Sequence, residues 1–134
     1  MEQELLALLD QHLKSIWAGD LDTYRATTGE DVTFYEWYIS TQRIDGLDFH
    51  LRETAASFRS AEDRRKAGRY EVEHEVLQPK VQLCGDVAII TYSLLMRYIT
   101  ATEVRHTTHN ETRVFHKRAQ GWQLVHCHKS PMQL

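Results

Sequence analysis

The 134 residues carry 16 Lys and Arg against 19 Asp and Glu, a formal charge of −3, with 42% hydrophobic residues, six glycines and two prolines. Such a composition describes one domain spanning residues 1–134; it excludes the clustered basic footprint of a nucleic-acid binder and is unlike an acidic disordered tail. Two cysteines, Cys84 and Cys127, are too few for a disulfide scaffold, no apolar run reaches the roughly 18 residues of a membrane span, and Met1-Glu2-Gln3-Glu4 is acidic where a leader would be basic, so a reducing, cytoplasmic setting is expected.

Along residues 2–18, Leu5, Leu9, Leu13 and Trp17, flanked by Leu6, Leu8 and Ile16, form one stripe at helical spacing, and Gly19 ends it. Asp20 is placed to cap a short second helix through Leu21, Tyr24 and Ala26, ending near Gly29. Residues 32–39 are β-branched and aromatic and read as a strand, with a short partner at 41–44. The turn Asp45-Gly46 leads into a third helix, from Leu47 to about Ser60, and the charged stretch 61–69 reads as a solvated loop. Four β-type segments follow, at 70–83, 87–99, 105–118 and 122–129, joined by hairpin-like punctuation such as Gly85-Asp86 and Ala119-Gln120-Gly121. Helices come first and a meander follows, so the expected class is α+β, with helices packed on one face of a strongly curved antiparallel sheet.

The segment 87–96 is apolar at both parities, whereas a half-solvated strand alternates. Helices cover only one face of a sheet, so a second copy of the chain is the simplest cover for the other, and a homo-oligomer is expected.

Motifs in order along the chain, Asp45-Gly46-Leu47-Asp48-Phe49-His50, Gly85-Asp86-Val87-Ala88, Glu111-Thr112-Arg113-Val114-Phe115-His116-Lys117-Arg118 and Gly121-Trp122-Gln123-Leu124-Val125-His126-Cys127-His128-Lys129-Ser130-Pro131, resemble the association (hub) domain of calcium/calmodulin-dependent protein kinase II. The resemblance implies the nuclear transport factor 2-like (cystatin-like) cone, shared with ketosteroid isomerase, scytalone dehydratase and SnoaL-like cyclases. It also implies dimers that stack into closed rings. The chain shows no kinase domain and no calmodulin-binding segment, so the expected role is a self-associating scaffold, with a hub-bearing kinase as a conceivable partner by family association alone. In the hub the cone is lined by a carboxylate and arginines; carried over, the carboxylate falls on Glu36, one arginine on Arg113, another on Lys129, and a further one on Leu94. Arg97 does not replace it, because an odd offset points to the opposite face.

Strand parity groups Arg113 with His109, Glu111 and Phe115, Lys129 with Val125 and Cys127, and Tyr92 with Leu94 and Met96. The expected ligand pocket is therefore an apolar cavity with Glu36, Tyr92, Arg113 and Lys129 as its polar points, suited to a small carboxylate ligand because a guanidinium fork matches one. The alternative is that Glu36 and Arg113 satisfy each other. For catalysis of the isomerase, cyclase or dehydratase type, Glu36 is the candidate base and Tyr92, Tyr35 or Tyr38 the donors. No nucleophile elbow, triad or phosphate loop supplements them, so binding is favoured over catalysis and no cofactor is expected. His126 and His128 share a strand face, with His116 a conceivable third ligand, but no carboxylate or thiolate joins them and no metal site is expected. His106 and His109 are expected to be solvated beside a turn, His50 to tie the inserted helix to the sheet, and Cys127 to be a core residue.

Overall fold

Leu5, Leu9 and Leu13 recur every fourth residue and form the buried face of helix α1, Glu2–Ala18, in the computed structural model, which describes residues 1–132. Gly19 ends the helix at φ 65°, and a side chain there would place Cβ 2.3 Å from the Phe58 ring. Asp20 caps α2, Leu21–Ala26, by accepting from the Thr23 backbone N–H at 3.1 Å and its hydroxyl at 2.6 Å.

The chain then enters β1, Thr28–Glu36, four residues earlier than expected, and leaves it before Trp37. Residues 37–39 lie in a turn instead of the strand: the Ile39 and Ser40 backbone N–H groups both donate to the Glu36 carbonyl, which gathers the part-exposed Trp37, Tyr38 and Ile39 side chains at the end of β1. A two-residue strand β2, Ile44–Asp45, pairs antiparallel with β1. Helix α3, Leu47–Ala67, runs two turns beyond the expected end, so residues 61–67 are not loop. Those turns bury nothing and show no apolar period, yet Ala, Glu, Arg and Lys are strong helix formers, and Arg64, Arg65 and Lys66 complement the negative end of the helix dipole.

Strands β3 (Tyr70–Cys84), β4 (Val87–Thr100), β5 (Val104–Arg118) and β6 (Gly121–Pro131) form the expected meander. The sheet order is β2-β1-β6-β5-β4-β3. All pairings are antiparallel except one: β1 lies parallel to β6, which brings the first long strand beside the last.

Along β4, Ala88, Ile90, Tyr92, Leu94 and Met96 are buried against Leu5, Leu9 and Leu13 of α1, while the odd positions are half-buried and face away. A bulge between the Val114–His126 and Phe115–Leu124 pairs makes Val125 the extra residue on β6. Leu124 and Cys127 therefore both face the core, and Val125 does not share the Cys127 face as strict alternation predicts. Among the described residues no helix is long and apolar enough to cross a membrane.

Candidate functional site

The polar residues of the cone are assembled by strand register. Glu36, Lys129, Glu111 and Tyr92 are consecutive cross-strand partners on β1, β6, β5 and β4, and Phe34, Cys127, Arg113 and Ile90 form the next inward-facing row. Side chains two residues apart share a face, so both rows project into the same interior. The α1–α3 side closes over them, leaving an open-mouthed cavity of about 450 Å³ whose lining includes Glu36, Arg113, Lys129, Glu111, His50 and His109.

Charge alternates along the first row. Lys129 Nζ donates to Glu36 Oε2 at 2.7 Å and lies 4.0 Å from Glu111 Oε2. Arg113 Nε donates to Glu111 Oε1 at 2.9 Å and to the Tyr92 hydroxyl at 3.0 Å, and Tyr92 in turn donates to Glu111 Oε1 at 2.5 Å. Two carboxylates thus face two cations, as burial demands.

Each carboxylate also has its own histidine. His109 Nε2 meets Glu111 Oε2 at 2.6 Å, and His50 Nε2 bonds Glu36 Oε1 while its ring stacks on Phe34 at 3.7 Å between centroids. A third histidine, His12 on α1, is fully enclosed and held well below the usual imidazole range by burial and then by the charge of Arg113. Neutral His12 accepts from Arg113 Nη1 at 2.9 Å through Nε2, so its Nδ1–H donates to Thr27 Oγ1 at 2.8 Å, and that hydroxyl donates to the Thr23 carbonyl. The chain of donors anchors the arginine to the helical layer.

All four pocket residues anticipated from sequence lie inside the cone, but their partners differ. Glu36 and Arg113 do not pair; Glu36 is held by His50, Lys129 and Tyr38, and Arg113 by Glu111, Tyr92 and His12. The Tyr92 hydroxyl sits behind the Glu111–Arg113 pair and its residue does not line the main cavity. His109 is not solvated: it is part-buried on Glu111 and packs edge-on to Trp37 at 5.5 Å. Leu94 lines the cavity, and Arg97 points outward onto Glu73 and Glu75.

On the outer sheet face, His126 bonds Thr33 Oγ1 at 2.8 Å and His128 leans on Tyr35, whereas His116 is engaged by Asp86 at the β3–β4 hairpin. These three do not converge on one point, and among the described residues no cluster of three metal-ligating side chains occurs. Cys127 is enclosed, and burial pushes its thiol up to about 12, which makes it inert.

Two further members of the site carry sequence signals: His12 falls on the Leu5, Leu9, Leu13 stripe, and Glu111, which strand parity groups with Arg113, stands two residues before it on the same face.

Burial alone would raise the Glu36 carboxyl, but the His50 hydrogen bond and the Lys129 charge outweigh it and hold the group at about 2 against its ordinary 4.5. A carboxylate held so low is a weak base at neutral pH. Its folded-state value lies below its unfolded one, so below pH 4.5 the unfolded chain takes up a proton that the folded chain refuses. Glu36 stabilisation is therefore complete above that value and is lost as pH falls toward 2. Glu111 moves the same way: burial opposes ionisation, and the Arg113 charge overcomes it. Urea midpoints should fall as pH drops across this window, and more shallowly for Glu36→Gln; an equal slope would mean that the fold does not hold the Glu36 carboxyl below its ordinary value.

A family model described as the calcium/calmodulin dependent protein kinase II association domain matches residues 1–133. This chain belongs to that association-domain family. It is 32% identical over 130 residues to the kinase type II alpha chain of Drosophila melanogaster, a match that covers 96% of this chain and 23% of the fly protein. The association domain thus spans about a quarter of that relative. Among solved structures, it superposes on the hub homology domain of Chlamydomonas reinhardtii with a TM-score of 0.84 at 27% identity, covering 98% of each chain. A putative dehydratase of the NTF2-like family from Streptomyces avermitilis gives a TM-score of 0.79 at 16% identity, covering 98% of this chain and 97% of that one, a likeness of fold alone. The association domain described here accordingly has the NTF2-like fold.

Proposed function

We propose that this association domain is a self-associating scaffold that packs the outer face of its sheet against a second copy, and that its cone holds a small carboxylate. The observation that carries the first part is a continuous outer surface without a cover. Ile89, Val114, His126 and Thr33 are cross-strand partners there, Thr91, Thr112, His128 and Tyr35 form the adjacent row, and Val87 and Leu95 extend the apolar area along β4. Every core residue of the helices packs on the opposite face. An uncovered, half-apolar sheet face of this kind suits the self-complementary contact of a two-fold dimer.

Light scattering at micromolar protein should return at least twice the 15.7 kDa chain mass. A monomer mass would refute the scaffold reading. Closed rings need a second interface, and mixed assembly with a hub-bearing kinase chain is the heterotypic counterpart; co-expression with such a chain and recovery of both proteins through a tag on one would support it, and recovery of the tagged chain alone would oppose it.

The carboxylate reading rests on donors that remain. Arg113 commits Nε and Nη1 to protein partners, while its Nη2 has no hydrogen-bond partner among the described residues. Lys129 donates at 2.7 Å to Glu36 and at 2.9 Å to Tyr38, keeping its third N–H near the more distant Glu111. Acetate and larger carboxylates should raise the melting temperature of the native chain and not of Arg113→Ala. An equal rise in both proteins, or none in either, would remove the anion site. Binding is preferred to isomerase or dehydratase chemistry because Glu36 is ionised and fully engaged.

A further inference from the structure

Asp10, His74 and Trp17 form a polar chain of their own, away from the charged floor of the cone. His74 stands on β3 with its ring against α1, and its side chain is 9% exposed. Trp17 Nε1 lies 2.9 Å from His74 Nδ1, and His74 Nε2 lies 2.7 Å from Oδ1 of the solvent-exposed Asp10. An indole N–H only donates, so Nδ1 is bare and the ring proton sits on Nε2, where it is given to the carboxylate. The imidazole is therefore neutral in this arrangement, with both nitrogens committed.

The two bonds answer a proton in opposite ways. A second proton can enter only at Nδ1, where it abolishes the acceptor for Trp17, while the bond to Asp10 survives and becomes an ion pair. On α1, Asp10 favours the charged ring and Lys14, one turn further on, opposes it. The row of His74 continues across β4 and β5 as Met96 and Thr107, which carry no charge, and the adjacent inward rows carry Arg105 and His109 on β5, two strands away. Glu73 and Glu75 point to the other face, onto Arg97. From α3, Glu53 lines the main cavity and Arg64 a neighbouring groove. Among the described residues Asp10 is thus the one carboxylate bonded to the ring.

The position of the indole gives that proton a consequence. The groove, of about 290 Å³, lies between the end of α1, the middle of α3 and the far ends of β3 and β4. Ile16, Trp17, Ser57 and Tyr98 line both the groove and the main cavity, so the partition between them is made of side chains. Gly19 lets Phe58 press directly against the end of α1, which fixes the backbone beside Trp17. We infer that His74 is a proton-operated latch on Trp17: with the ring neutral the indole closes the partition, and with the ring charged the indole is released and the two chambers join. Asp10 ties α1 to β3 in both states, so the movement is confined to one side chain. The latch depends neither on what the cone binds nor on how the chain assembles.

The test labels the whole chain with 5-fluorotryptophan and follows the Trp17 fluorine resonance from pH 8 to pH 5.5, with and without a neutral soluble nitroxide. Of the three tryptophans, Trp17 is the one whose resonance survives in both Trp37→Phe and Trp122→Phe, and the other two serve as internal references. Imidazoles change charge in this range, which lies above the acid window of Glu36. The Trp17 resonance should move with pH, and its broadening by nitroxide should at least double at the acid end. In His74→Gln, which keeps a donor and an acceptor but no titrating ring, both should stay constant. Asp10→Asn, at an exposed position, should move the transition to lower pH. A resonance that titrates without added broadening overturns the latch, because the ring then gains its proton while the indole stays. Broadening that doubles equally in His74→Gln, or a transition that Asp10→Asn leaves in place, assigns the change to another group and overturns it too. No transition in the native chain means that the ring keeps one charge state throughout, and the latch fails.

Discussion

Replacing Glu111 with alanine should lower the unfolding free energy by about 3–5 kcal/mol, the cost of leaving a buried charge without its partner. Glu111 and Arg113 are 2% and 1% exposed, and among the described residues the Glu111 carboxylate is the only anion that Arg113 touches. Tyr92 and His12 would remain beside the guanidinium, but both are neutral: burial raises the Tyr92 hydroxyl well above its usual range and keeps His12 unprotonated. Lys129 loses one of its two carboxylates as well. Arg113→Ala should cost less in charge terms, since Glu111 keeps Lys129, His109 and Tyr92 around it. Removing both charges with Glu111→Leu and Arg113→Leu together should recover most of the loss, as apolar replacement of buried pairs commonly does. Urea unfolding checks the series, at one protein concentration because assembly contributes to apparent stability. A loss below about 1 kcal/mol for Glu111→Ala would mean that water reaches the pair.

The second large effect concerns assembly. Ile89→Asp places a carboxylate in the middle of the outer row between Gln82 and Val114. In a lone subunit that side chain stays hydrated and the fold tolerates it. Against a second copy it is buried twice over, once from each subunit of a two-fold pair, with no cation opposite. A stable dimer needs roughly 800 Å² from each partner, and one central unpaired charge per subunit is enough to forfeit it. Light scattering should show the variant at the monomer mass with unchanged far-ultraviolet circular dichroism. Thr102→Asp, at the exposed tip between β4 and β5, should leave the mass as it was. An assembled Ile89→Asp protein would place the interface elsewhere.

Helical spacing marked α1, where Leu5, Leu9 and Leu13 carry the period of its buried face, whereas β4 was marked by its β-type composition, since its buried positions Ala88 to Met96 alternate with residues that are often apolar too. The last two turns of α3 escaped because they bury no apolar face, so no apolar period marks them. The site was legible as a set of residues and not as a set of bonds. Glu36, Arg113 and Lys129 do line the cone, but which cation meets which carboxylate depends on register between strands, and the parallel β1–β6 pairing leaves no trace in local sequence. The same pairing decides that Lys129 stands opposite Glu36, which displaces Arg113 onto Glu111. The β6 bulge is equally silent, since Val125 looks like any other strand residue until its partners are known.

That pairing also orders events in time. β1 is made well before its partner β6, 93 residues separating Thr33 from the His126 it bonds. Until then β1 has only the two-residue β2 beside it, and Glu36 has His50 but no lysine. Contacts so distant in sequence slow folding and leave an unpaired edge exposed meanwhile. Nascent chains stalled before Gly121 should therefore be far more open to aggregation than chains in which β6 has emerged, and the charged interior of the cone closes only when that strand docks.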